Sequence, residues 1–136
     1  MENVNDSPHV LRLLPGNDLR LSLENFVNEN KIEAGWIVTC VGSLTSYSIR
    51  FANQTKASYE SGYFEIINLA GTISFNGCHI HICIADDKGK TIGGHLMPGC
   101  KIYTTAEIVL VASDSYLFTR EVDDTTKFKE LRILKK

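Results

Sequence analysis

Apolar positions along the chain change period twice within the first forty residues. His9 to Leu14 form a short apolar run closed by Pro15-Gly16, which predicts a first strand and a turn. Leu19, Leu23, Phe26 and Val27 then recur at helical spacing, while Glu24, Asn28 and Glu29 fall on the opposite face. Asn17 or Asp18 can cap that helix, because a short polar side chain accepts a hydrogen bond from a free backbone N–H of the first turn. The helix is expected to stop near Asn30, before Gly35. From Trp36 to the end, the runs are rich in Ile, Val, Thr, Tyr and Phe and punctuated by Gly, Asn and Asp, a β pattern. The predicted strands are Trp36 to Val41, Ser46 to Ala52, Tyr63 to Ser74, His79 to Ala85, Thr91 to Met97, Tyr103 to Ala112, Tyr116 to Thr119 and Lys129 to Leu134.

One early helix followed by many strands with short connections predicts an α+β fold. Its sheet is mostly antiparallel and is packed against the helix or curled around it. The 136 residues suit a single domain spanning 1–136, since a chain of this length can bury roughly two thirds of its extended surface. An apolar fraction of 43% and a charged fraction of 22% are globular averages, and no repeat, linker or low-complexity segment interrupts them.

Charge narrows the choice of partners. A formal net charge of −2 gives no general attraction to phosphates, the main source of non-specific DNA affinity. The basic residues concentrate only in the tail, at Lys127, Lys129, Arg132, Lys135 and Lys136, and no aromatic interleaving accompanies them; a solvated last strand explains them best. The stretch MENVNDSPHV has neither the basic start nor the apolar run of a secretory signal, and no segment is apolar enough to span a bilayer. A cytoplasmic location without membrane partners is expected. In that reducing setting Cys40, Cys78, Cys83 and Cys100, which lack CxxC spacing, read as small buried hydrophobes without disulfides.

Three of the four histidines fall within CHIHICIADDKGKTIGGHL. Asp87-Lys88-Gly89 suits a three-residue hairpin loop with glycine in its left-handed position. Closing it pairs Asp86 with Lys90, which sets His81 opposite His95 and His79 opposite Met97. Strand alternation puts His79, His81 and Cys83 on one face, and Cys78, Ile80, Ile82 and Ile84 on the other, which is the core face. Three imidazoles so placed can reach one cation at about 2.0 to 2.1 Å. His79, His81 and His95 are therefore candidate ligands of a divalent transition metal, zinc first, with nickel, copper or iron also suited to imidazole. Cys83 is a possible fourth ligand, although packing explains it better. Gly93-Gly94 is expected to leave room beside the cluster for a water or ligand.

Other readings stay open. Histidines can occupy a strand's wet face without binding metal. HxH followed by Asp86 and Gly93 also resembles the cupin metal motif, but Asp replaces the usual Glu and falls at the turn. Glu65 and Glu107 lie in apolar strands and, if buried, need partners; orienting a metal-bound histidine is one such role. Thr104 and Thr105 are weaker candidates for the same pocket. Arg20 and Arg50 could bind an anion but read more simply as solvated charges, and His9 needs no special role.

Taken in order, RLLPGNDLRLSLENFVNENKI, GWIVTCVGSLTSYSIRFAN, GYFEIINLAGTIS and CHIHICIADDKGKTIGGHLMPGCKIYTTAEIVL make the chain resemble the PPC domain, conserved in plants and prokaryotes. The resemblance covers about residues 10 to 112. It implies a compact α+β subunit with a curved antiparallel sheet, assembling as a homotrimer. It also implies a metal site on the prokaryotic His-x-His and Gly-Gly-His pattern, matched here by His79, His81, Gly93, Gly94 and His95. Plant members carry an AT-hook that enters the DNA minor groove, and the DNA-binding label of prokaryotic members derives from them. This chain has no such hook, so DNA or a regulatory protein enters as a partner only through the family resemblance. The family supplies no reaction. A metal-dependent hydrolase or lyase is the alternative reading, because three histidines and an open position can activate water.

Overall fold

The computed structural model describes residues 5–136, so Met1–Val4 of the stretch read for a leader lie outside the described residues. Eight strands and one helix follow the order β1 (Asp6–Leu13), α1 (Leu19–Glu29), β2 (Gly35–Arg50), β3 (Ser58–Ile73), β4 (His79–Ala85), β5 (Thr91–Leu96), β6 (Ile102–Ser113), β7 (Tyr116–Val122) and β8 (Lys129–Lys135). The first six strands make one antiparallel sheet in the order β1-β6-β2-β3-β4-β5, and β7 and β8 make a separate hairpin. The α+β class holds, and so does the curvature. Strand β5 also pairs with β2, through Ile49 opposite Leu96 and Arg50 opposite His95, so β2, β3, β4 and β5 close into a ring.

The two strands expected at Trp36–Val41 and Ser46–Ala52 are one, because Gly42 to Ser46 form irregular ladder positions rather than a turn. At Gly42 an added Cβ would lie 2.1 Å from the Thr105 carbonyl oxygen, so only glycine lets β6 approach this closely. The resulting 16-residue strand serves three partners: β3 along one edge, and β6 then β5 along the other.

Asp18 caps the helix by accepting a hydrogen bond from the Leu21 N–H at 3.0 Å. Its second oxygen accepts from the Gly99 N–H at 2.7 Å, tying the helix start to the segment between β5 and β6. Leu19, Leu23 and Val27 on the inner face join the core with Ile80, Ile82 and Ile84 of β4 and Ile108 and Leu110 of β6. Arg20, expected as a solvated charge, is instead a tie. Its guanidinium donates to the Leu96 and Cys78 carbonyls and pairs with Glu24, fixing both ends of the histidine hairpin to the helix. Among the described residues, no helix is long and apolar enough to cross a membrane.

Candidate metal centre

Turn chemistry sets the site. Asp86 N–H donates to the Lys90 carbonyl and Gly89 adopts a φ of +78°, giving the expected three-residue loop. The ladder that follows places His81 opposite His95, Ile82 opposite Gly94 and Cys83 opposite Gly93. Ile80, Ile82 and Ile84 are buried, while His79 and His81 face outward and His95 is half-buried. His79 does not meet Met97, because β5 leaves β4 after His95 to join β2. His79 pairs with Thr72 of β3 on its other side, and Met97 N–H donates to the Ser48 carbonyl.

The three imidazoles converge. One ring nitrogen from each lies within 4.8 Å of the others, and the Nε2 atoms of His79 and His81 are 3.1 Å apart. Nitrogens sharing a tetrahedral zinc at about 2.0 to 2.1 Å stand roughly 3.3 Å apart, so small ring adjustments would complete such a triad. Burial first, and then the Arg50 guanidinium, push the His95 imidazole down to about 4. Burial and then the neighbouring His81 hold His79 below its ordinary value. Neutral imidazoles are what a transition metal requires, so the shifts of His79 and His95 favour the ion, and three converging ring nitrogens are a donor set that fits it.

No thiol or carboxylate joins this group among the described residues. Cys83 shares the histidine strand but sits opposite Gly93 and outside the convergence. Cys78 is half-buried against the core as parity requires, although it also lines the cleft beside His79. All four cysteines are free, and burial pushes the Cys40 and Cys100 thiols up to about 12 and about 11. Asp86, the cupin-like position, spends Oδ1 on the Lys88 and Lys90 N–H groups of its own turn.

The remaining candidates lie elsewhere. Glu65 is exposed opposite Ala85 and Ser43, four residues along β4 from His81, a separation of about 13 Å at strand rise. It lines another cleft with Tyr63 and Tyr103. Glu107 is exposed on β6 between Arg12 and Val41, and Thr105 accepts a hydrogen bond from Arg12. Thr104 bonds Ser43. Gly93 and Gly94 serve close strand approach: an added Cβ would lie 2.7 Å from the Ile82 carbonyl oxygen at Gly93 and from the Arg50 carbonyl oxygen at Gly94. They let β5 fit between β4 and β2.

The open space beside the histidines comes from the β7–β8 hairpin. A cleft of about 430 Å³ is lined by His79, His95, Cys78 and Arg50, and by Arg120, Phe128, Lys129 and Glu130 of the hairpin. Phe118 fastens that hairpin: its N–H donates to the Glu33 carbonyl, and its carbonyl accepts from Ser74 and Asn76 side chains. Arg120 donates to Thr72, the residue paired with His79. Sequence periodicity gave no sign of these neighbours, because they are brought in by a separate two-stranded sheet. Of the basic tail, Lys136 pairs with Glu33 and Arg132 with Glu121.

Similarity to known proteins agrees with this fold. A hypothetical protein from Salmonella enterica has a structure that matches with a TM-score of 0.95 at 36% identity, covering 99% of this chain and 98% of that one. A metal-containing protein from Archaeoglobus fulgidus matches with a TM-score of 0.80 at 26% identity, covering 96% and 95%. The bifunctional protein GlmU of a Synechococcus strain is 47% identical over 125 residues, which are 92% of this chain; the chain spans 20% of that relative's length. The family model for the Plants and Prokaryotes Conserved (PCC) domain, the PPC domain of the sequence resemblance, matches residues 2–114, and the chain belongs to that family.

Proposed function

We propose that this protein is a metal-binding PPC-domain module in which His79, His81 and His95 hold one divalent transition metal, zinc by preference, beside the β7–β8 cleft. The observation that carries the reading is the convergence of three imidazoles on one hairpin face, with one ring nitrogen of each within 4.8 Å of the others. The metal-containing relative from Archaeoglobus fulgidus supports it. The whole of 1–136 acts as one unit, since the hairpin beyond residue 114 is fastened to Glu33, Ser74 and Asn76 of the matched domain. The module works in the cytoplasm as a homotrimer. Exposed Val38 and Val41 on β2, and the contacting Tyr63 and Tyr103 rings, offer apolar surface suited to a second copy. A regulatory or assembly role, with DNA or a regulatory protein as the partner, rests on the family label and not on the charge distribution.

The test is metal analysis of protein purified without chelators, beside His81→Ala. About one ion per chain in the wild type and its loss in the variant support the site; equal content in both overturns it. Sedimentation should return three times the subunit mass, and a monomer would count against the assembly.

One observation favours a second reading, a metal-dependent hydrolase or lyase. The cleft contains Glu130, a carboxylate on the same side as His79 and His95. A bound zinc would supply Lewis acidity, and Glu130, which lines the same cleft, would take or return a proton there. A substrate screen on metal-loaded protein, with Glu130→Gln and His79→Ala alongside, separates catalyst from binder.

A further inference from the structure

The cleft beside the histidines carries an imbalance that the metal reading does not use. Arg50, Arg120 and Lys129 face it against the single carboxylate of Glu130, although the chain as a whole is net acidic. Among the described residues, neither Arg50 nor Arg120 pairs with a carboxylate. Each spends one guanidinium N–H on an oxygen that fixes its position: Arg50 on the Gln54 carbonyl at 3.2 Å, Arg120 on the Thr72 hydroxyl at 2.8 Å. The other donors of each guanidinium are left for a ligand.

These two arginines are placed by independent parts of the fold. Arg50 is set opposite His95 by the ladder that closes the ring. Arg120 reaches the other side of the cluster from β7, anchored to the partner of His79. Two half-buried guanidiniums flanking one cleft are suited to a planar or tetrahedral oxyanion, which accepts paired N–H bonds. Phe128 on the hairpin adds an apolar wall, and about 430 Å³ is enough for a small molecule.

We propose that this cleft is a binding site for a small organic oxyanion, a carboxylate or phosphate ester, gripped by Arg50 and Arg120 with its body against Phe128. The grip stands on the two arginines and does not require the ion; a cation on the histidines would add to it.

Calorimetry tests this with inorganic phosphate and with benzoate, on chelator-treated and on zinc-loaded, desalted protein. Both probes should bind. Arg50→Gln and Arg120→Gln should each weaken binding about tenfold, as expected for one lost charge-assisted pair. Phe128→Ala should weaken benzoate and spare phosphate, and Arg12→Gln, on β1, should change neither. If Arg120→Gln unfolds the hairpin, Arg50→Gln still decides. Dependence on the arginines in the chelator-treated protein upholds the anion site even if no zinc is retained, in which case only the metal reading falls. Absence of binding tighter than about 10 mM in both forms, or binding indifferent to Arg50, overturns the anion site while leaving the metal reading to its own test. A preference for benzoate assigns a carboxylate ligand; a preference for phosphate assigns a phosphate ester.

Discussion

Arg50 stands directly across the β2–β5 ladder from His95, and His95 stands directly across the β4–β5 ladder from His81. One residue thus joins the ring closure to the histidine cluster. A slip of one position in β5 would turn His95 to the core face and remove both relationships together.

Gly94→Ala should therefore disturb site and fold at once. Its Cβ would fall 2.7 Å from the Arg50 carbonyl oxygen and 2.8 Å from Ile49 Cγ2, backbone and core that cannot yield freely. A loss of about 1 to 3 kcal/mol in urea unfolding is expected, with weaker metal retention. Gly89→Ala is the comparison: nothing crowds it, and only its φ of +78° is strained, so about 1 kcal/mol is lost and metal content is unchanged. Equal metal content in the two variants would disprove the link between closure and site.

Asp18 holds the helix start and Gly99 together. Asp18→Ala should cost roughly 2 to 3 kcal/mol, the cap plus a stranded N–H at Gly99. Asp18→Ser should recover about 1 kcal/mol of this, because serine can cap the helix but is too short for both tasks. Denaturation midpoints of the three proteins measure it, and a fully stable Asp18→Ala would contradict the double role.

The metal-free protein should lose stability in mild acid through its histidines. His95 has its folded pKa lowered from 6.5 to about 4, so the unfolded chain takes up this proton first. The contribution is complete above pH 6.5 and is lost as pH falls toward 4. Discounted for solvent screening of a half-exposed ring, it amounts to about 1 kcal/mol. His79 acts in the same direction. Urea midpoints at pH 7 and pH 5 should differ less for His95→Gln than for the wild type, and an unchanged difference would remove the assignment.

Much of the site was legible because its causes are local. Asp87-Lys88-Gly89 dictates the loop, the loop dictates the register, and alternation then places His79, His81 and His95. What eluded the sequence is non-local. Gly93 and Gly94 read as empty space, yet serve close strand approach, because the pairing of β5 with β2 involves residues more than forty positions apart. Glu65 and Glu107 were visible as carboxylates in apolar strands, but alternation alone left open which way they pointed, and both are exposed. Arg120, Phe128 and Glu130 reach the cleft only because Phe118 fastens a second sheet beside it. The break expected between Val41 and Ser46 is a bulged strand, a geometry that glycine signals no differently from a turn.

DNA affinity should be feeble. Two of the five tail cations are paired, with Glu33 and Glu121, and the chain is net acidic. Mobility-shift assays on AT-rich and GC-rich duplexes should show retention only at low salt and without preference. Sequence-selective retention near physiological salt would contradict this.

The metal triad is tested most directly by X-ray absorption at the zinc edge, on protein purified without chelators. Three imidazole nitrogens at about 2.0 to 2.1 Å, with one further light atom, are predicted. A sulfur neighbour at about 2.3 Å, or an edge that His81→Ala leaves unchanged, would contradict a site built from His79, His81 and His95.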